Sequence, residues 1–187
     1  MSLFKSTFFQ MNEDILRDVE SSFRVWKRKS KVLVSRGKHT DKLFFINKGF
    51  VLLKITLNHK QWVRHIAQPG EFIASLSGFE TGKSCEESIE TIGECEIIYI
   101  EKHILSELRR KYPEVDRIYT DYITNALLQC QRRIEDLLCL EAEQYYEKLL
   151  KEKSAVMNAI PQYELASYLG IQPQSLSRIR GKFKYLS

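Results

Sequence analysis

The chain has 187 residues and a net charge of +5, with 43% hydrophobic and 28% charged residues. This composition is typical of a globular protein, and the length suits one domain with a smaller addition. The apolar runs are too short to cross a membrane, and residues 1–5 do not begin a secretory signal. A chain that is not exported is expected to be cytoplasmic and to keep its four cysteines as reduced thiols. None of them forms a CxxC pair, which argues against a zinc or redox site.

Charge is unevenly distributed along the chain. Between Glu80 and Glu101 there are seven glutamates and one lysine, whereas residues 171–187 hold four basic residues and no acidic one. A basic terminus beside an acidic middle indicates that the terminus meets a polyanion. Two solvated faces would give the same pattern, so the charge alone leaves both interpretations open.

The first elements are a short helix and a series of strands. Asn12 suits the N-cap of a helix that carries Ile15, Leu16 and Val19 on one face. From residue 23 to 100 the sequence forms short β-type runs separated by turn residues. The predicted strands are 31–35, 43–47, 50–57, 61–67, 88–92 and 97–100. Strands this short and closely spaced, without helices between them, predict an antiparallel roll or barrel.

The period becomes helical after Glu101. A long helix is predicted over residues 112–139, then a second over Ala142–Glu152 and a loop that ends at Pro161. Apolar residues of the long helix are spaced 4, 3, 4, 3, which is the narrow seam of a coiled coil. This dimer seam consists of Ile123, Leu127, Cys130, Ile134 and Leu137. It predicts a homodimer, and the alternative is an amphipathic helix packed on its own barrel.

Residues 160–180 carry the signals of a helix-turn-helix. Pro161 suits the first position of one helix, Gly170 permits a sharp turn, and Pro173 starts the next helix. Small or apolar residues recur where two crossing helices would touch. These are Leu165, Ala166, Leu169, Ile171, Leu176, Ile179 and Phe183.

The outer face of the second of these helices is polar and lacks acidic residues. In the major groove an arginine can bind guanine and a glutamine can bind adenine, so we expect Gln174 and Arg178 to contact bases. Ser175 and Lys182 are better placed for phosphates. The predicted DNA-binding residues are Pro173, Gln174, Ser175, Ser177, Arg178 and Lys182. A helical hairpin with a purely structural role is the alternative.

The order of short helix, β-roll, long helix and helix-turn-helix resembles the bacterial Crp/Fnr family of transcription regulators. The resemblance is most specific in residues 162–180 and in Gly70-Glu71-Phe72-Ile73. It implies an α+β fold with three parts: an antiparallel jelly roll of the cyclic nucleotide-binding type (1–111), a dimerisation helix (112–140) and a helix-turn-helix domain (141–187). Double-stranded DNA, a second copy of the chain and RNA polymerase are the expected partners. The chain ends seven residues after Arg180, so we expect no β-hairpin wing.

Cyclic nucleotide-binding members of that family have a cassette with Gly-Glu-Leu on a short helix, followed by Arg-Ser or Arg-Thr. Ala74-Ser75-Leu76 and Cys85-Glu86 stand at these places here, and Glu87 follows. The ribose acceptor and the phosphate-binding cation are both missing, no arginine lies between Gly70 and Ile100, and two carboxylates would repel an anion. We therefore expect a degenerate effector pocket that does not bind cyclic AMP, and the sequence indicates no other effector.

Other cofactors and activities find no support in the sequence. Iron–sulfur members of the family carry an N-terminal cysteine cluster, whereas no cysteine precedes Cys85 here. Haem members need an axial His or Cys, and the four histidines (39, 59, 65 and 103) are isolated. A protein-interaction module on a β-roll scaffold and a cupin-like enzyme are the remaining alternatives. The polar last helix argues against the module, and the lack of a His-rich metal set argues against the enzyme, so we predict no catalysis, metal or cofactor.

Overall fold

The computed structural model describes residues 4, 11–26 and 31–184. Three predictions lie outside the described residues, because they fall on residues 1–3, 5–10 and 185–187. They are the missing signal sequence, the outer domain limits and the end of the chain after the last helix. The elements of the sheet domain are α1 (Glu13–Ser22), β1 (Arg24–Val25), β2 (Val32–Val34), β3 (Lys42–Leu57), β4 (Lys60–Ala67), β5 (Phe72–Ile73), α2 (Leu76–Thr81) and β6 (Glu87–Glu101). The helices that follow are α3 (Lys102–Lys111), α4 (Pro113–Cys139), α5 (Ala142–Glu152), α6 (Ser154–Ala159), α7 (Gln162–Leu169) and α8 (Pro173–Lys184).

The predicted first helix is confirmed. The side chain of Asn12 accepts a hydrogen bond from the backbone N–H of Asp14 at 2.9 Å, as an N-cap residue should. Val19 on the predicted apolar face is buried, while Ile15 and Leu16 are half-buried. None of the helices in the described ranges is long and apolar enough to span a membrane.

The strands form one antiparallel roll, as predicted, but two predicted strand breaks are wrong. Runs 43–47 and 50–57 belong to the single strand β3, and runs 88–92 and 97–100 belong to β6. β3 and β6 pair along most of their lengths, and the register shifts around Lys48. Gly49 adopts a φ of 88° there, so the strand bends through an irregularity without ending.

Gly49→Ala is expected to lower the free energy of unfolding by about 2–4 kcal/mol, because strain at positive φ and a steric clash would add. A methyl group at this position would lie 2.6 Å from the backbone oxygen of Glu94. Gly93 also has positive φ, but its added methyl would contact nothing within 4 Å. Gly93→Ala therefore isolates the backbone strain, and urea denaturation should place its cost clearly below that of Gly49→Ala.

β3 is buried on both faces because the roll packs against helices on its outside. Phe44 and Val51 point into the roll, whereas Phe45 packs with α1, α3 and α4, and Leu52 packs with the C-terminal helices. Alternation along the strand thus divides its side chains among three clusters. The cluster around Leu52 joins the roll to the helix-turn-helix. The domain limits predicted at 111/112 and 140/141 stay predictions.

The long helix and the one after it lie where the sequence predicts them. The loop predicted before Pro161 is wrong, because it contains α6, whose Val156 and Met157 are buried against the C-terminal helices. Six residues are too few for a periodic signal, and burial stabilises this turn of helix. Pro161 precedes α7 rather than opening it, and its carbonyl accepts the first helical hydrogen bond from Leu165 at 3.0 Å.

Candidate nucleic-acid interface and sensor pocket

α7 and α8 form the predicted helix-turn-helix. Gly170 ends α7 with a φ of 72°, and the N–H of Ile171 donates to the carbonyl of Ala166 at 3.0 Å. The residues predicted to hold the two helices together are buried or half-buried in one cluster: Leu165, Ala166, Leu169, Ile171, Leu176, Ile179 and Phe183. The glycine turn and the small Ala166 therefore set the crossing of the two helices.

The polar side chains of α8 face away from this cluster. Pro173, Gln174, Ser177 and Arg178 are exposed, and Ser175 is half-buried. Arg178 lies close to its neighbour on the helix, with Nη2 3.3 Å from Ser175 Oγ. Gln174 and Arg178 therefore lie four residues apart on one accessible face.

Lys182, predicted to contact phosphate, already has a partner. Its Nζ lies 2.5 Å from a carboxylate oxygen of Glu143 on α5, and both side chains are substantially exposed. An exposed pair of this kind contributes little to stability, so a phosphate could replace the carboxylate at small cost.

The helix-turn-helix is docked on β4, an edge strand of the roll. The N–H of Val63 donates to the Ser167 hydroxyl of α7 at 2.9 Å. Arg133 of α4 donates to the carbonyls of Val63 at 3.2 Å and Tyr168 at 2.7 Å, and its guanidinium lies 4.0 Å from the centre of the Tyr168 ring. Edge-strand groups that would otherwise face solvent are therefore bonded to the helical part.

A buried ion pair reinforces this docking. Lys54 of β3 donates to Glu164 of α7 at 2.5 Å and to Glu90 of β6 at 2.9 Å. Lys54 is 6% exposed and Glu164 is 5% exposed. Burial alone would lower the pKa of Lys54, but the hydrogen bonds to the two carboxylates outweigh it and raise that pKa above its ordinary value.

The residues of the predicted effector pocket come together beside α2. Ser75 is the N-cap residue of α2 and is fully buried, with Ala74 and Cys85 buried next to it. Glu87 is also buried, and its carboxylate accepts a hydrogen bond from the Ser75 hydroxyl. Leu76 is half-buried at the start of the helix.

Two parts of the pocket differ from the prediction. Glu86 does not enter the pocket. It immediately precedes β6, and its exposed side chain lies 3.4 Å from Arg36 on the surface. Arg64 of β4 does reach the pocket, and its guanidinium lies 2.6 Å from Glu87. The sequence lacks an arginine between Gly70 and Ile100, yet a cation arrives from a strand earlier in the chain.

Residues 24–112 match the cyclic nucleotide-binding domain family. No curated protein matches the sequence. Solved structures do match. CLP, a c-di-GMP-responsive global regulator of Xanthomonas campestris, has a TM-score of 0.71 at 18% identity over 93% of this chain and 92% of its own. CooA of Carboxydothermus hydrogenoformans has a TM-score of 0.72 at 16% identity, with 98% of this chain and 84% of its own chain covered. The Thermus thermophilus catabolite activator protein has a TM-score of 0.57 at 17% identity, with 96% of this chain and 86% of its own chain covered. The chain has the Crp/Fnr fold.

In this Crp/Fnr fold most side chains of the predicted dimer seam are exposed to solvent in the single chain. Ile123 packs partly against the cluster that includes α1 and α3, whereas Cys130 and the later apolar residues are exposed. Leu127 is 60% exposed, Ile134 57% and Leu137 45%. Leu137 also lies near the turn of the helix-turn-helix, with its Cδ2 3.7 Å from where a side chain on Gly170 would begin.

The four cysteines of this Crp/Fnr fold are free thiols, and Cys130 and Cys139 are exposed. Burial and nearby cations lower the pKa of His65 to about 4, so its ring is neutral at neutral pH.

Within the described residues, the candidate metal ligands that converge are Asp41, Glu101 and His103, at the surface. Their carboxylates already pair with Lys42 and Arg24, and the prediction of no metal or cofactor stays a prediction.

Proposed function

We propose that this protein is a homodimeric transcription regulator that binds specific DNA sequences through α8. The observation that supports this most directly is the accessible outer face of α8, which presents Gln174, Ser177 and Arg178 and carries no acidic residue. An apolar stripe there would have favoured a protein partner instead. The Crp/Fnr fold, shared with a global regulator and an activator protein, is consistent with regulation and not with an enzyme.

In the proposed complex α8 lies in the major groove and α7 crosses the DNA backbone. Gln174 and Arg178 contact base edges, while Ser175 and Lys182 bind phosphates, Lys182 exchanging Glu143 for the DNA. Two subunits related by a two-fold axis then require half-sites about 34 Å apart, one helical turn of DNA. The effector pocket does not take cyclic AMP, and the protein acts in the cytoplasm, with RNA polymerase as a further partner.

Arg178→Ala is expected to cost about 1–3 kcal/mol on the preferred DNA site and to relax the choice of one base pair in each half-site. A guanidinium that donates two hydrogen bonds to guanine discriminates against the other bases, and alanine cannot. Binding-site selection from random duplexes, followed by titration of wild type and variant, measures both effects.

Lys182→Ala is the matched control on the same helix. Loss of one phosphate contact should weaken all sequences about equally and lower the salt dependence of binding by about one unit per subunit. If Arg178→Ala leaves the selected base preferences unchanged, α8 does not read DNA through this face. If wild type selects no sequence from the random pool, the proposed function is wrong.

A further inference from the structure

The Glu87 carboxylate is held by two groups that typically bind anions. One oxygen accepts from the Ser75 hydroxyl, and the other lies 2.6 Å from the Arg64 guanidinium. Glu87 is 4% exposed and Ser75 is fully buried, whereas the Arg64 side chain is 42% exposed and reaches in from the surface. A guanidinium and a hydroxyl that converge on one point form a recognition site for carboxylates and phosphates.

Burial makes this arrangement more than a surface pair. Removal of a carboxylate from water is strongly unfavourable unless the carboxylate is paired and hydrogen-bonded, and here each oxygen of Glu87 has one partner. Close packing keeps the parts in place, since a methyl group on Gly78 of α2 would lie 2.6 Å from the sulfur of Cys85, two residues before Glu87. The short helix therefore packs closely against the segment that leads into β6.

We infer that Arg64 and Ser75 form an anion-binding site that is permanently occupied by the chain's own Glu87 carboxylate. The effector pocket then does not lack anion-binding groups. It is closed to carboxylate and phosphate ligands because the Glu87 carboxylate occupies these groups. This inference concerns the sheet domain and does not depend on DNA binding by α8.

Removal of the internal anion should open the site to an external one. Glu87→Ala removes one methylene and the carboxylate, and acetate has the size and charge to replace them. We expect acetate to bind Glu87→Ala at least about tenfold more tightly than wild type, because the guanidinium and the hydroxyl released by the substitution can each donate a hydrogen bond to the acetate carboxylate. Inorganic phosphate, tested in parallel, shows whether a tetrahedral anion also fits. Isothermal titration calorimetry and thermal unfolding in acetate against chloride at equal ionic strength measure the effect.

The adjacent Glu86 provides the matched control. Glu86→Ala makes the same change in charge at an exposed side chain, so its affinity for acetate should equal that of wild type. Arg64→Gln combined with Glu87→Ala should lose the gained affinity, because the guanidinium is gone. Equal acetate affinity of Glu87→Ala and Glu86→Ala, or retained affinity in the double variant, would overturn the inference.

Glu87→Ala could also fail to fold in chloride buffer. The inference then requires acetate to restore the circular dichroism spectrum of the folded protein. Failure to restore it at every acetate concentration that leaves the wild-type spectrum unchanged would contradict the inference. None of these measurements involves DNA, so a negative result leaves the proposed function intact. Failure of DNA selection would equally leave the anion site intact.

Discussion

Glu164→Gln is expected to lower the free energy of unfolding by about 3 kcal/mol. Loss of the Glu164 charge leaves the buried ammonium of Lys54 with Glu90 as its remaining carboxylate, and breaking a buried pair by removal of one partner typically costs 3–5 kcal/mol. The lower end applies because Glu90 still compensates the charge. Urea denaturation followed by circular dichroism measures the difference.

Glu147→Gln is the matched control for this change. Glu147 pairs with Lys151 at 2.7 Å on the surface of α5, where both side chains are well exposed. An exposed pair of this type contributes under about 1 kcal/mol, so the control should remain close to wild type. Equal stabilities of the two variants would show that the Lys54–Glu164 pair does not stabilise the docking.

A second test removes both charges. Lys54→Met with Glu164→Leu replaces the pair by apolar side chains of similar length, and such replacements are often neutral or stabilising. We expect the double variant to be more stable than Glu164→Gln. Because the pair joins β3 to α7, these variants also show how firmly the helix-turn-helix is held on the roll.

Local signals made most of the helices predictable from the sequence. Asn12 caps α1, Gly170 ends α7 in the left-handed conformation that its lack of a side chain permits, and Pro173 starts α8. Each signal acts within one turn of helix, so neighbouring residues suffice to read it. The same holds for the polar outer face of α8, which follows from helical spacing alone.

Contacts between distant segments could not be predicted in this way. Arg64 meets Glu87 because both their strands pair with β3, and no local pattern records that arrangement. Lys54 and Glu164 are 110 residues apart in the chain. Gly49 lies between the predicted strand runs 43–47 and 50–57, where a glycine is typical of a turn, yet pairing with β6 carries the strand through the irregularity. The part of the site that lies on one helix could therefore be predicted from the sequence, whereas the part that depends on pairing between strands could not.

Leu127→Lys is expected to convert the proposed dimer to monomers without unfolding the chain. Leu127 is 60% exposed in the single chain, so a lysine there costs the monomer little. Within the described chain the buried residues of α4 are Val115 and Tyr119, both near its start, and from Leu127 onward its apolar side chains are exposed and available to a second copy. At an isologous seam each substitution would place an unpaired ammonium against its symmetry mate.

The expected cost is several kcal/mol, which raises the dimer dissociation constant by about two to three orders of magnitude. Asn125→Lys adds the same charge two residues earlier, on the outer side of the helix away from the seam, and should leave the dimer intact. Sedimentation equilibrium at micromolar concentration distinguishes the three proteins, and circular dichroism checks that each is folded. A wild-type monomer, or a Leu127→Lys dimer as tight as that of Asn125→Lys, would rule out the seam as the interface. DNA binding would then need either a different dimer contact or a single half-site.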